Sequence, residues 1–277
     1  MPHHLKHAMS RQRLSEELQN DADLEDVWFD YKECVTDHIS EVEQKWDQLD
    51  DEVWAKVIVM EKNKRVAKVL LRKSQNIVNN SDVGYDSRGI IGLGGFSNDF
   101  RDKSTVEALR NVGKGINISM DNGGNILINK HDHKLISCQR LEDDSPKLVE
   151  EHKIKIFDMK QFQMLIKKEM RKPHPNLNDI RDKVVTNVMF SDPEADNMEH
   201  PLWIMIINIV ALDLLNSRAK KMSSEVKVVT STLIRDKSDT LTDDSNCGSD
   251  KKKIMGHPMS WHLEPPVPPV RNGSRLV

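Results

Sequence analysis

Cysteine is scarce in this chain. Cys34, Cys138 and Cys247 are the only three, and their odd number and wide spacing exclude a disulfide framework and a zinc ribbon. Such usage fits a reducing, intracellular compartment. Long apolar runs are lacking as well. The longest, Leu202 to Leu215, is interrupted by Asn208 and Asp213 and falls short of the roughly 20 residues that cross a bilayer. Met1 to Ser10 carries His3, His4, Lys6 and His7 but no apolar stretch, so no secretory signal is read there. Neither sign of charge dominates: 41 Lys+Arg against 44 Asp+Glu leaves −3 over 277 residues, which argues against a general polyanion binder.

The near-neutral total hides an asymmetry. Residues 10–53 hold 4 basic and 15 acidic side chains, residues 54–218 hold 26 and 22, and residues 219–277 hold 10 and 7. An acidic N-terminal segment therefore adjoins a mildly basic body, and long-range attraction can hold the two together. From Asp23 the residues Leu24, Val27, Trp28, Tyr31, Val35, Ile39, Val42, Trp46 and Leu49 recur at steps of three or four, which predicts an amphipathic helix over 23–50. Asp23 is placed as its cap. Trp28 and Trp46 are expected to dock it on the body, each burial worth roughly 2 to 3 kcal/mol.

Further along, Trp54–Val59 and Val66–Leu70 flank the turn-like Glu61-Lys62-Asn63-Lys64, which predicts a hairpin. Ser104 with Glu107 reads as a capping box opening a helix that Gly113 closes. Ile116–Met120 and Ile126–Ile128 surround Asp121-Asn122-Gly123-Gly124, a strong hairpin signal. Leu135–Cys138 and Ile154–Phe157 add short strands. Asp158 with Gln161 predicts a second helix start, stapled by Phe157 and Phe162 and ended by Pro173 and Pro175. A short helix at Asn176–Lys183, strands at Val184–Phe190 and Leu202–Ile209, and a last helix from Leu212 complete the pattern. Short strands with helices at the ends predict a mainly β fold with α, a β-sandwich with helical caps. After Ser217 the composition turns to Lys, Ser, Thr, Asp and Pro, so 219–277 is expected to be a disordered tail with a Pro-rich end, and 1–22 a flexible start.

The stretch from Trp54 to Val66, with Glu61, Asn63, Arg65 and Val66 in its turn, resembles the opening hairpin of the second Mad-homology domain, the C-terminal domain of Smad proteins. Gly92-Leu93, Ser104-Thr-Val-Glu107 with Gly113-Lys114-Gly115, Lys155-Ile156-Phe157 with Phe162, and Pro201-Leu-Trp203-Ile204 follow in that family's order. The resemblance implies a Smad/forkhead-associated-type β-sandwich over 54–218, with a three-helix bundle at one end and loops at the other. It also implies a phosphoserine pocket, to which Lys147 is the matching lysine. In place of the family's other pocket cations this chain has Asp192, Glu194, Asp196 and Glu199. A charge-assisted bond to phosphate is worth roughly 1.5 to 3 kcal/mol, so acids there turn attraction into repulsion. The Ser-Ser-x-Ser terminus of receptor-activated Smads is also missing, Ser223-Ser224 being only an echo of it. A monomer or weak oligomer is expected rather than a phosphoserine-driven trimer.

Only 53 residues precede Trp54, too few for the Smad DNA-binding half, so no direct nucleic-acid contact is expected. A helical extension without that half resembles the arthropod Expansion and Rebuf group of atypical Smad-like proteins, which implies chitin deposition and tracheal tube shape. The expected localisation is cytoplasmic and apical, with the nucleus left open. The alternative function is a Smad-associated transcriptional co-regulator.

His131 and His133 flank Asp132 and read as a solvated turn rather than a metal site. Gly92, Gly94 and Gly95 lack nucleotide-loop spacing. With no triad evident either, no enzyme and no cofactor are expected. Pro266, Pro269 and Arg271 fit the P-x-x-P-x-Arg ligand of Src-homology-three domains, and a stiff linker fits as well. The partner-binding candidates are thus Trp28, Trp46, Lys147, Asp192, Glu194, Asp196, Pro266, Pro269 and Arg271, in a non-catalytic protein-interaction module.

Overall fold

The computed structural model describes residues 26–143, 145–191 and 198–238. Two units divide the chain, Met1–Lys227 and Val228–Val277. In the second, the described residues are helical.

Among the described residues, two six-stranded sheets form the body. Sheet one runs in the order β2 (Lys64–Leu71), β1 (Ala55–Glu61), β12 (Trp203–Asn208), β11 (Val185–Met189), β8 (Ser137–Gln139) and β9 (Lys147–Leu148). Sheet two runs β10 (Lys153–Phe157), β7 (Ile126–Lys130), β6 (Ile116–Met120), β3 (Gln75–Asn79), β5 (Ile90–Gly92) and β4 (Gly84–Tyr85). The helices are α1 (Tyr31–Gln44), α2 (Lys103–Asn111), α3 (Met159–Glu169) and α4 (Ile209–Ser238), with a 3-10 segment at Leu177–Val184.

The sheets differ in how they are buried. In β3, β6 and β7 buried and less buried residues alternate, the pattern of a sheet with one face to solvent. Every residue of β1, β11 and β12 is buried. That requires cover on both faces, and α1 supplies the outer one. Register places Lys56, Ile58 and Met60 of β1 opposite Ile207, Met205 and Trp203 of β12, and those in turn opposite Val185, Asn187 and Met189 of β11. Paired residues share a face, and Lys56 and Asn187 both bond to α1 residues, so this is the face beneath the helix. Cys34, Val35, His38, Ile39 and Val42 are the helix's buried side. The first unit thus layers helix α1 on sheet one, with sheet two beyond it.

Helix α1 starts seven residues after the cap expected at Asp23, on the described residue Asp30, whose Oδ1 accepts from Glu33 N at 2.7 Å. Asp26 to Trp28 instead pair with the edge of β2. Arg65 N donates to Asp26 O, Trp28 N donates to Asn63 O, and Val27 bridges Lys64, so backbone groups that a helix would use are already committed. Asp23 itself lies outside the described residues. A second correction concerns α2, whose N-cap is Asp102 rather than Ser104. The Asp102 Oδ1 accepts from Thr105 N at 2.8 Å, and a carboxylate there also meets the positive end of the helix dipole. Gly113 does follow the helix with φ +62.

Other expectations match. Asp158 caps α3 by accepting from Lys160 N and Gln161 N, and the Phe157 and Phe162 rings stand 5.6 Å apart. Asp121 Oδ1 accepts from Gly123 N and Asn125 N, closing the β6–β7 turn. The last helix starts at Ile209 rather than Leu212, because Asn208 Oδ1 accepts from Ala211 N and caps α4 there. That helix continues to Ser238, past the point where composition predicts loss of order. No Gly or Pro occurs between Pro201 and Gly248, so nothing local breaks it.

Candidate functional site

The contact between α1 and sheet one is apolar at its centre and ionic at its rim. Glu41 is the hub. Its carboxylate accepts from Lys56 at 2.7 Å, Lys68 at 2.8 Å and Lys45 at 3.1 Å, with Arg65 at 3.7 Å. Burial works against its ionisation, but the bonds from Lys56 and Lys68 outweigh it and hold its pKa well below the carboxylate range. Burial pushes Lys56 down to about 8. Toward the helix C-terminus Glu43 pairs with Arg181, and Asp50 pairs with Arg72 at 2.7 Å. The acidic segment and the basic body therefore meet in specific pairs.

Trp28 is buried here, its Nε1 donating to Asp37 at 3.0 Å, with Arg65 5.2 Å from its ring and His38 at 4.7 Å. Trp46 is half-buried against the core in the 3-10 turn Trp46–Gln48. The His38 Nδ1 lies 2.7 Å from Cys34 O while its Nε2 faces Arg65 at 3.3 Å. Burial lowers its pKa to about 4.

An open groove of about 570 Å³ lies at the turn between β1 and β2, with Val27, Lys62, Asn63 and Lys64 on one side and Phe100, Asp102 and Thr105 on the other. Its floor is set by Glu61, which is 4% exposed and accepts from Arg101 Nε at 2.9 Å and Asn98 Nδ2 at 2.6 Å. Arg101 also donates to Phe96 O, so the 96–101 loop is tied to the hairpin. Lys62, left-handed at φ +53, pairs with Asp102. Phe100 stands 73% exposed on the rim with Lys64 Nζ 5.1 Å from its ring, and Phe29 is 84% exposed two residues from Val27. Sequence reasoning passed over this groove. The available signal was a large aromatic in the polar run Ser97-Asn98-Asp99-Phe100, which no core pattern claims.

Lys147, the expected pocket lysine, is already engaged. Its Nζ donates to Asp143 at 2.5 Å, and Arg140 Nε donates to the same carboxylate at 2.9 Å. Asp143 has a side chain only 4% exposed; burial opposes its charge, yet Lys147 and Arg140 hold its pKa low. Asp192, Glu194 and Asp196, and likewise Pro266, Pro269 and Arg271, lie outside the described residues.

The His133 ring packs edge-on against His152 at 5.2 Å, and Asp132 accepts from Lys114 N and Lys134 N. Among the described residues no group of three or more His, Cys, Asp and Glu could hold a metal ion. Cys34 and Cys138 are buried, their thiols pushed up to about 12 and 11 by burial. Among the described residues no helix is long and apolar enough to cross a membrane.

Comparison with curated proteins finds no match. Among solved structures, the chain is similar to the IAD domain of interferon regulatory factor 9 at 13% identity and TM-score 0.44, covering 65% of this chain and 95% of that one. A second similar chain comes from the crystal structure of STAT2 in complex with IRF9, at 13% identity and TM-score 0.45, covering 61% and 99%. The MH2 domain profile matches residues 52–209. That span holds the hairpin, both sheets and the Lys147 region, leaves α1 outside, and takes in more than half of the chain, which therefore belongs to the MH2 domain family.

Proposed function

We propose that this chain is a non-catalytic protein-interaction module of the atypical Smad-like kind, similar to Expansion and Rebuf, acting in chitin deposition and epithelial tube shape through recruitment of protein partners. The observation that carries the interaction reading is the groove beside the hairpin turn, whose rim presents an exposed Phe100 on a rigid, ion-paired floor. Aromatic anchors at the edge of a preformed groove are typical binding determinants. The protein works as a monomer or weak oligomer, without nucleic acid. Support for that comes from Lys147 and Arg140, whose charge is spent on buried Asp143 rather than held ready for a phosphoserine from a neighbour.

The test is proximity labelling in an epithelial cell, comparing the native chain with Phe100→Ala. Loss of specific neighbours in the variant, with apical cytoplasmic staining, supports the reading. Nuclear accumulation with a common-partner Smad in the labelled set would favour the transcriptional co-regulator instead. Light scattering at micromolar concentration is expected to give a monomer, and a stable trimer would overturn the assembly part.

A further inference from the structure

A second groove, of about 370 Å³, runs between α3 and the start of α4. Its lining is Gln163, Ile166, Lys167, Met170, Arg171, Leu214 and Arg218. Ile166 is buried, and Met170 and Leu214 are half-buried parts of the core edge, so the floor is apolar. Lys167 and Arg171 stand one turn apart on α3 and the turn that follows it, and Arg218 faces them from α4. No carboxylate lines the groove. The acid of this helix, Glu169, is taken by Lys172 at 2.5 Å.

The surroundings strengthen the sign. Residues 159–172 carry Lys160, Lys167, Lys168, Arg171 and Lys172 against Glu169 alone. Of these, Lys167 and Arg171 line the groove together with Ile166 and Met170.

We infer that this groove docks an acidic peptide of a partner protein that carries an aliphatic anchor, one or two side chains filling the apolar floor while flanking carboxylates meet Lys167, Arg171 and Arg218. The inference rests on the reading of the chain as a protein-interaction module, and names a second surface of it. A nucleic acid matches the cations but leaves Ile166, Met170 and Leu214 unused, since duplexes are held chiefly through phosphate. The peptide uses both halves of the groove.

The experiment uses the full chain and a fluorescein-labelled peptide of about fourteen residues, leucines at helical i, i+3, i+7 spacing among glutamates and aspartates, followed by anisotropy at ~0.1 M salt. Saturable binding is expected, weakened about tenfold or more by Arg171→Glu with Arg218→Glu, and weakened similarly when the peptide leucines become alanine. Gln163→Glu, which adds one carboxylate at an exposed position, should weaken it several-fold and guards against a folding defect in the double variant. Phe100→Ala should leave peptide binding unchanged. No saturable binding, equal binding of the alanine peptide, or equal binding of duplex DNA would each overturn the inference. If these fail while Phe100→Ala still loses its neighbours in cells, the interaction reading stands and only this groove is withdrawn.

Discussion

Converting Glu41 to Gln removes one charge and almost no volume, which makes it a clean probe of how α1 is held to sheet one. Of the four cations around Glu41, Lys45 and Lys68 are exposed, and such pairs contribute about 0 to 1 kcal/mol each; Arg65 stands off at 3.7 Å and pairs with Asp26. Lys56 is buried: its side chain is 7% exposed. Removing the acid from a buried pair costs about 3 to 5 kcal/mol, because the remaining charge has no compensation. A ceiling follows from proton loss. Lys56 can escape by becoming neutral, which from its folded value of about 8 costs about 1.4 kcal/mol at pH 7 and almost nothing at pH 9. With the small terms from the more exposed partners added, Glu41→Gln should therefore lose about 2 kcal/mol at pH 7 and less at pH 9. Lys56→Met added to it should recover most of the loss. Urea unfolding followed by tryptophan fluorescence reads all three values. A loss under about 1 kcal/mol, a penalty unchanged between pH 7 and 9, or a double variant no better than the single one would refute the reasoning.

Acid should loosen the same layer through His38. Its folded pKa of about 4 lies below the ordinary 6.5, so the unfolded chain takes the proton first and stability falls as pH drops from 6.5 to 4, by about 3 kcal/mol. His38→Gln should flatten urea midpoints across that window, and an unchanged slope would count against it. Asp143→Asn frees Lys147 and Arg140, so affinity for a phosphoserine peptide should rise about tenfold, whereas an unaltered isotherm would mean that the acid was not what blocked them. Gly115→Ala should be among the most damaging small changes: with φ at +77 a Cβ would sit 1.8 Å from Val78 O, and a loss of about 3 kcal/mol or more is expected by thermal melting.

Local signals explain much of what the sequence reveals about the fold. The Asp121–Gly124 turn, the Asp158 cap and the Phe157–Phe162 staple depend on contacts within a few residues, so spacing alone locates them. The outer layer depends on contacts across the chain. Ala55–Glu61 and Trp203–Asn208 are nearly continuous apolar runs rather than alternating ones, which is what burial on both faces produces. Read as a membrane test, the run from Leu202 gave only a negative answer. Periodicity puts the helix start too early because Val27 and Trp28 keep the spacing of the helical stripe while their backbone pairs with the β1–β2 hairpin, a competition that periodicity does not register. The hairpin groove joins Glu61 to Arg101 and Lys62 to Asp102 across about forty residues, and no local pattern links them.

The extra layer also constrains where partners can bind. The family profile begins at residue 52, so α1 is an addition packed on sheet one of the shared domain. The face beneath it carries Ile58, Met60, Trp203 and Met205, all fully buried, together with Lys56. Left bare, it would be a large sticky patch; covered, it offers no docking surface. On the proposed reading, contact with other proteins falls to the hairpin turn, where Phe100 projects, and to the α3–α4 groove, where Lys167, Arg171 and Arg218 border an apolar floor. If α1 is integral in this way, deleting residues 1–50 should yield aggregated chain rather than a more active one. A soluble, folded truncation with increased partner capture would instead make α1 a removable mask.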